Sequence, residues 1–104
     1  MDNKLVQLKS LGAPKGWMIS VSKCTKGTHI NAEHLSHGIV TLTRSHHVTD
    51  YPYVVRHNGA LANYEGKKGM YCNQHDAVVH FNGYLKAVSD GRVIPPKLHN
   101  IASV

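Results

Sequence analysis

The chain has 104 residues, 41% of them apolar and 17% charged, with nine Gly and four Pro. That composition describes one globular domain with a modest core, and it argues against a multidomain or disordered chain. A net charge of +6 favours an acidic partner, nucleic acid or an acidic protein surface, yet the Lys and Arg residues are spread along the chain, so solubility explains it as readily.

In chain order, Leu5, Leu8 and Leu11 recur at three-residue steps and predict a short amphipathic helix over 3–11, ended by Gly12 and Pro14. "WMISVSK", 17–23, alternates as a strand, with Trp17, Ile19 and Val21 on one face. "CTKGTHINAEHLSHG", 24–38, reads as turn-rich and then briefly helical around Ala32–His37. "GIVTLTR", 38–44, is a strand by its β-branched residues. A loop over 45–52 leads to a second clear strand, "YVVRH", 53–57.

After Gly59, "ALANYEGKKG" suits a return strand or a short helix. Asn58-Gly59 is itself a strong two-residue hairpin signal. The run that follows it alternates poorly, however, so the expectation is a strand end that faces a pocket. Residues 73–91 carry an Asn82-Gly83 pair, a hairpin signal, but Val78, Phe81, Leu85 and Val88 share one helical face. Asn73 or Asp76 is a cap and Gly91 a stop, so a helix is favoured. Pro95-Pro96 makes the tail extended. "VVRHNGAL" and "VVHFNGYL" share V-V-x-x-N-G-x-L, an echo that is read as chance rather than as a repeat.

No apolar run reaches membrane-spanning length, and residues 1–15 lack an apolar h-region; the expectation is a cytoplasmic chain without a membrane partner. Cys24 and Cys72 make no disulfide framework and are expected to be buried or neutral thiols. By composition, Cys72 with His75 or Cys24 with His29 is the nucleophilic alternative. Nine His residues imply a positive charge that climbs on mild acidification. His34, His37, His46 and His47, with Glu33 and Asp50 nearby, are the residues a zinc reading would use, but no ligand set is complete, so no metal or cofactor is expected. Trp17, Tyr51, Tyr53 and Tyr64 beside Arg44 and Arg56 are those an aromatic-plus-basic nucleic-acid surface would use.

Three segments in order, "TLTR", "VVRHNGALANYEG" and "NQHDAVVHF", and more faintly "KGWMISV" ahead of them, resemble the glutamine-binding half of class II glutamine amidotransferases, the N-terminal-nucleophile hydrolases. The resemblance covers about residues 38–81. It implies that Arg44 holds an α-carboxylate, that Asp76 holds an α-ammonium, and that the Asn58 amide with the Gly59 N–H forms an oxyanion hole. The family's nucleophile is an N-terminal Cys whose own α-amine is the base. Here Met1-Asp2 stands at the start and both cysteines are interior, so the resemblance implies a non-catalytic relative.

The expected architecture is a single α+β domain over 1–104, with a core at 15–91 and an extended tail at 92–104. It would be a small, mostly antiparallel sheet with one or two helices, a reduced form of the family's layered fold. The expected function is to bind a glutamine-like small molecule through Arg44, Asn58, Gly59 and Asp76, or to reuse the scaffold for a protein partner. The alternative is a small basic protein acting on nucleic acid or a nucleic-acid-handling complex, and it ranks second.

Overall fold

The computed structural model describes residues 13–25, 27–46 and 50–96; the helix expected over 3–11 and the tail beyond Pro96 lie outside them. The architecture is α+β: a six-stranded antiparallel sheet with one helix on one face. Strands β1 (Met18–Cys24), β2 (Gly27–His34), β3 (Gly38–Ser45) and β4 (Tyr53–His57) form a meander. Two short strands, β5 (Ala60–Leu61) and β6 (Met70–Tyr71), share the outer edge of β4.

β2 replaces the helical turn expected at Ala32–His37. Its period is two: Thr28, Ile30 and Ala32 are buried, while His29, Asn31 and Glu33 alternate with them on the other face. Ala and Glu are good helix formers, but helix propensity is a weak determinant beside tertiary pairing. Pairing on both sides, to β1 and to β3, outweighs that propensity.

Helix α1 (Gln74–Ser89) forms as its apolar stripe requires. Asn73 caps it by accepting from the Asp76 N–H at 2.9 Å. At the other end Gly91, at φ +80°, permits the Gly91 N–H to reach Val88 O and the Arg92 N–H to reach Ala87 O, which closes the last turn as a Schellman motif. Val78, Phe81, Tyr84, Leu85 and Val88 from the helix pack on Ile30, Val40, Leu42 and Val55 from the sheet. The two copies of the V-V-x-x-N-G-x-L echo thus lie in different structures, 54–61 in the β4–β5 hairpin and 78–85 inside α1.

The excursion between β5 and β6 folds over α1. A Tyr64–Lys67 bridge turns it, with Glu65 and Gly66 both at positive φ. It places the Tyr64 ring 5.5 Å from the Tyr84 ring and its hydroxyl against Gly83. Val55 spans the break in the edge: its N–H donates to Gly69 O and its carbonyl accepts from the Ala62 N–H, each at 2.8 Å.

Candidate functional site

The pocket expected from Arg44, Asn58, Gly59 and Asp76 does not form. Asn58, at φ +52°, and Gly59, at φ +88°, turn a two-residue hairpin that pairs His57 with Ala60 and Arg56 with Leu61. Both residues in the left-handed region is the signature of a type I′ turn. The Asn58 side chain is engaged on both atoms. Its Oδ1 accepts from the Ile39 N–H at 3.0 Å, and its Nδ2 donates to Pro96 O at 2.7 Å. The amide sits where a Cβ on Gly38 would lie 2.2 Å from it, so Gly38 makes room for that lock. Arg44 is at the far end of β3, paired with Tyr53, about 17 Å along the strand from Ile39 at 3.3 Å per residue. Asp76 accepts from Asn73 Nδ2 at 3.0 Å as part of the helix cap.

Between the sheet and the helix lie two histidines with closed hydrogen bonding, His57 of β4 and His80 of α1. His57 reaches His37 O through Nε2 at 2.6 Å and Tyr84 Oη through Nδ1 at 2.7 Å. His80 repeats the arrangement with Ala62 O at 2.6 Å and Tyr71 Oη at 2.7 Å. A carbonyl only accepts, so each Nε2 carries the proton and each Nδ1 accepts from a tyrosine hydroxyl. Burial lowers the pKa of both imidazoles, the largest influence on each, and pushes the Tyr84 hydroxyl up to about 12. These residues are part of the core.

The opposite face carries the chemistry, and among the described residues no element lies over it. Ser22, His29, Thr43 and Val54 form one row across β1–β4; Ser20, Asn31, Thr41 and Arg56 form the next. Thr41 Oγ1 donates to Asn31 Oδ1 at 3.1 Å, and Asn31 Nδ2 donates to Ser22 Oγ at 3.4 Å. At the β4 side this lattice opens into a recess of about 520 Å³ whose walls include His29, Thr43, Asp50, Tyr51 and Arg56. Arg56 and Asp50 carry opposite charges on the walls of one recess. Between described residues Arg92 pairs with Glu65 and Asp90, and neither Arg56 nor Asp50 makes such a pair.

Cys24 and Cys72 are both exposed, against the expectation of burial. The Cys24 sulfur lies 3.7 Å from His29 Nε2, and His29 Nδ1 lies 2.9 Å from Thr43 Oγ1. The sequence named Cys24 with His29 only as a compositional alternative. What joins them is register: Ser22 opposes His29, and Cys24 lies two residues further along the same face.

Of the aromatic residues considered for nucleic acid, Trp17 and Tyr53 are buried and Tyr64 packs against His80 and Tyr84. Tyr51 alone is half exposed, and it shares the recess with Arg56. His34 and His37 do meet, 4.2 Å between ring centroids, but they pack with Trp17 on the β2–β3 turn. Among the described residues no three His, Cys, Asp or Glu side chains gather as a metal site; His47 lies outside them. No helix among them is long and apolar enough to cross a membrane.

Compared with protein-family models, with curated proteins and with solved structures, the chain matches none. Arg56 and Asp50 were legible as charged residues but not as a pair. The available signal was strand parity: Arg56 alternates with the buried Val55 and His57, which puts it on the face that the helix leaves open.

Proposed function

We propose that the recess on the open face binds a small zwitterion of the free amino-acid class, without chemical change to it. The observation that carries this reading is Arg56 and Asp50 on the walls of one recess, neither in an ion pair among the described residues. A planar guanidinium suits a carboxylate, and a carboxylate suits an ammonium group. Thr43 and His29 also line the recess and place a hydroxyl and an imidazole near a polar side chain such as a primary amide. The reading keeps the glutamine-like ligand that the family resemblance implies, and moves it to other residues.

Calorimetric titration with a panel of free amino acids tests it. Glutamine-like members should bind, and their N-acetyl and α-amide derivatives should each bind about tenfold more weakly or less, since each loses one charged contact. Arg56→Gln should weaken the free amino acid and the amide unequally, because the amide has no carboxylate to lose. Equal binding of free and blocked forms, or no binding of any free amino acid at millimolar concentration, would refute the reading.

Tyr51 beside Arg56 supports a second reading, a base stacked on the ring with its phosphate at the guanidinium. Binding of a single-stranded oligonucleotide that falls steeply with salt, in the absence of amino-acid binding, would favour it.

A further inference from the structure

We propose that Cys24 is a reactive thiol, served by His29 as base and by Thr43 as the residue that positions the imidazole, and that it forms mixed disulfides with low-molecular-weight disulfides. It shares His29 and Thr43 with the recess of the amino-acid reading, but it depends on the Cys24–His29–Thr43 line and not on Arg56 or Asp50.

The line is built by the sheet. Cys24 ends β1 on the open face, and β2 presents His29 beside it. The Cys24 sulfur lies 3.7 Å from Nε2, within hydrogen-bond reach for sulfur. For Nε2 to accept, Nδ1 must carry the imidazole proton, and Thr43 Oγ1 at 2.9 Å is placed to accept it. Thr43 is directly opposite His29 in the β2–β3 ladder, so the hydroxyl is fixed by backbone pairing. An imidazole nitrogen is thus within reach of the thiol, the other ring nitrogen is held by a hydroxyl, and the sulfur is open to solvent.

The chemistry that such a line supports without further groups is thiol–disulfide exchange. The Cys24 proton passes to His29 Nε2, and the sulfur attacks one sulfur of the incoming disulfide. A Cys24–S–S–R bond forms and the R–S–S–R bond breaks. The leaving thiolate takes the proton back from the imidazolium. One disulfide is consumed and one is made, so no oxidant beyond the incoming disulfide is needed. Acyl transfer would also require donors for an oxyanion; the Asn58 amide expected for that purpose is locked to Ile39 and Pro96.

The molecule carries its own comparator. Cys72 is exposed as well, and among the described residues no imidazole hydrogen-bonds its sulfur. The charged residues near the line are Lys23, adjacent to Cys24 in sequence, and Arg56 and Asp50 on the walls of the recess that His29 lines. If charge alone activated the thiol, removing the imidazole nitrogen would leave its rate unchanged.

The test is reaction of the full chain with oxidised glutathione at neutral pH, with each cysteine followed separately by peptide mass mapping. Cys24 should form the mixed disulfide at least about tenfold faster than Cys72. His29→Gln should bring Cys24 down to the rate of Cys72 and leave Cys72 unchanged. Thr43→Val should slow Cys24 in part, and Thr43→Ser should restore it, which a purely structural role for the methyl group would not do. Equal rates at the two cysteines in the unaltered protein, or a Cys24 rate indifferent to His29→Gln, would overturn the proposal.

Discussion

The two faces of the sheet use histidine in opposite ways. On the face under α1, His57 and His80 are almost fully buried, at 0% and 2% exposed, and both nitrogens of each are bound to a carbonyl and a tyrosine. On the open face, His29 also has two partners, but one is a solvent-exposed thiol and the ring lines a recess. Residue type is the same; what differs is whether the partners can be exchanged. A carbonyl in a turn and a tyrosine in a packed core cannot leave. A thiol can react, and a recess can be filled. The nine histidines of the sequence are therefore not one population, and a count of them says little about charge until the faces are told apart.

The largest effect that would break this comparison is on stability. His57→Leu keeps the volume but leaves the buried Tyr84 Oη and the part-buried His37 O without their partner. Each stranded buried polar group costs about 1–3 kcal/mol, so a loss of about 3 kcal/mol is expected by chemical denaturation. His29→Gln, on the open face, should change stability by no more than about 0.5 kcal/mol. Similar losses from the two variants would mean that the open face is as tightly integrated as the covered one.

Acid is the next lever, and its sign follows from burial. His57 and His80 have pKa values lowered from 6.5 in the fold, so below about pH 6.5 the unfolded chain binds protons that the fold refuses. The stability these neutral imidazoles contribute is complete above that pH. It is lost as pH falls towards their folded values, with a slope of at most about 1.4 kcal/mol per pH unit for each histidine. Denaturation midpoints measured from pH 7.5 to pH 4.5 should fall across this window, and less so in His57→Leu, which has one such group fewer. A midpoint flat from pH 6.5 to pH 4.5 would show that the covered histidines accept protons without opening the core.

The contrast between faces also explains what could be read in advance. β1 and α1 were legible from periodicity and β3 from its β-branched residues, and the ends of β1, β3 and β4 fall within about a residue of those observed. β2 did not, because its outward residues His29, Asn31 and Glu33 are poor strand formers and its pairing partners on both sides are not visible locally. Missing β2 hid the open face, since its residues meet only when β2 stands between β1 and β3. The Asn58-Gly59 signal was read past its plain meaning. The short hairpin partner, two residues of β5, alternates too briefly to be seen as a strand. The opposite case is Asn82-Gly83, where the same dipeptide sits inside a helix. There a cap at Asn73 and an apolar stripe across 78–88 override the turn preference, as tertiary packing often does.

That second dipeptide supplies the smallest and sharpest test, confined to the covered side. A glycine inside a helix destabilises it by about 1 kcal/mol relative to alanine, so Gly83 calls for a reason. A Cβ there would lie 2.3 Å from Tyr64 Oη, with the next atom of that ring at 3.5 Å. The tyrosine ring is wedged between His80 and Tyr84, at 5.0 Å and 5.5 Å between centroids, and cannot swing aside cheaply. Gly83→Ala alone should therefore destabilise the protein by about 1–2 kcal/mol, the overpacking range. Tyr64→Phe removes the hydroxyl and leaves a contact of ordinary length. In that background Gly83→Ala should turn stabilising, by up to about 1 kcal/mol of recovered helix propensity. A double-mutant cycle reads the coupling directly. Additive effects, with Gly83→Ala equally harmful with or without the hydroxyl, would mean that the excursion over α1 is free to move and that the tight packing of the covered face stops at Tyr84.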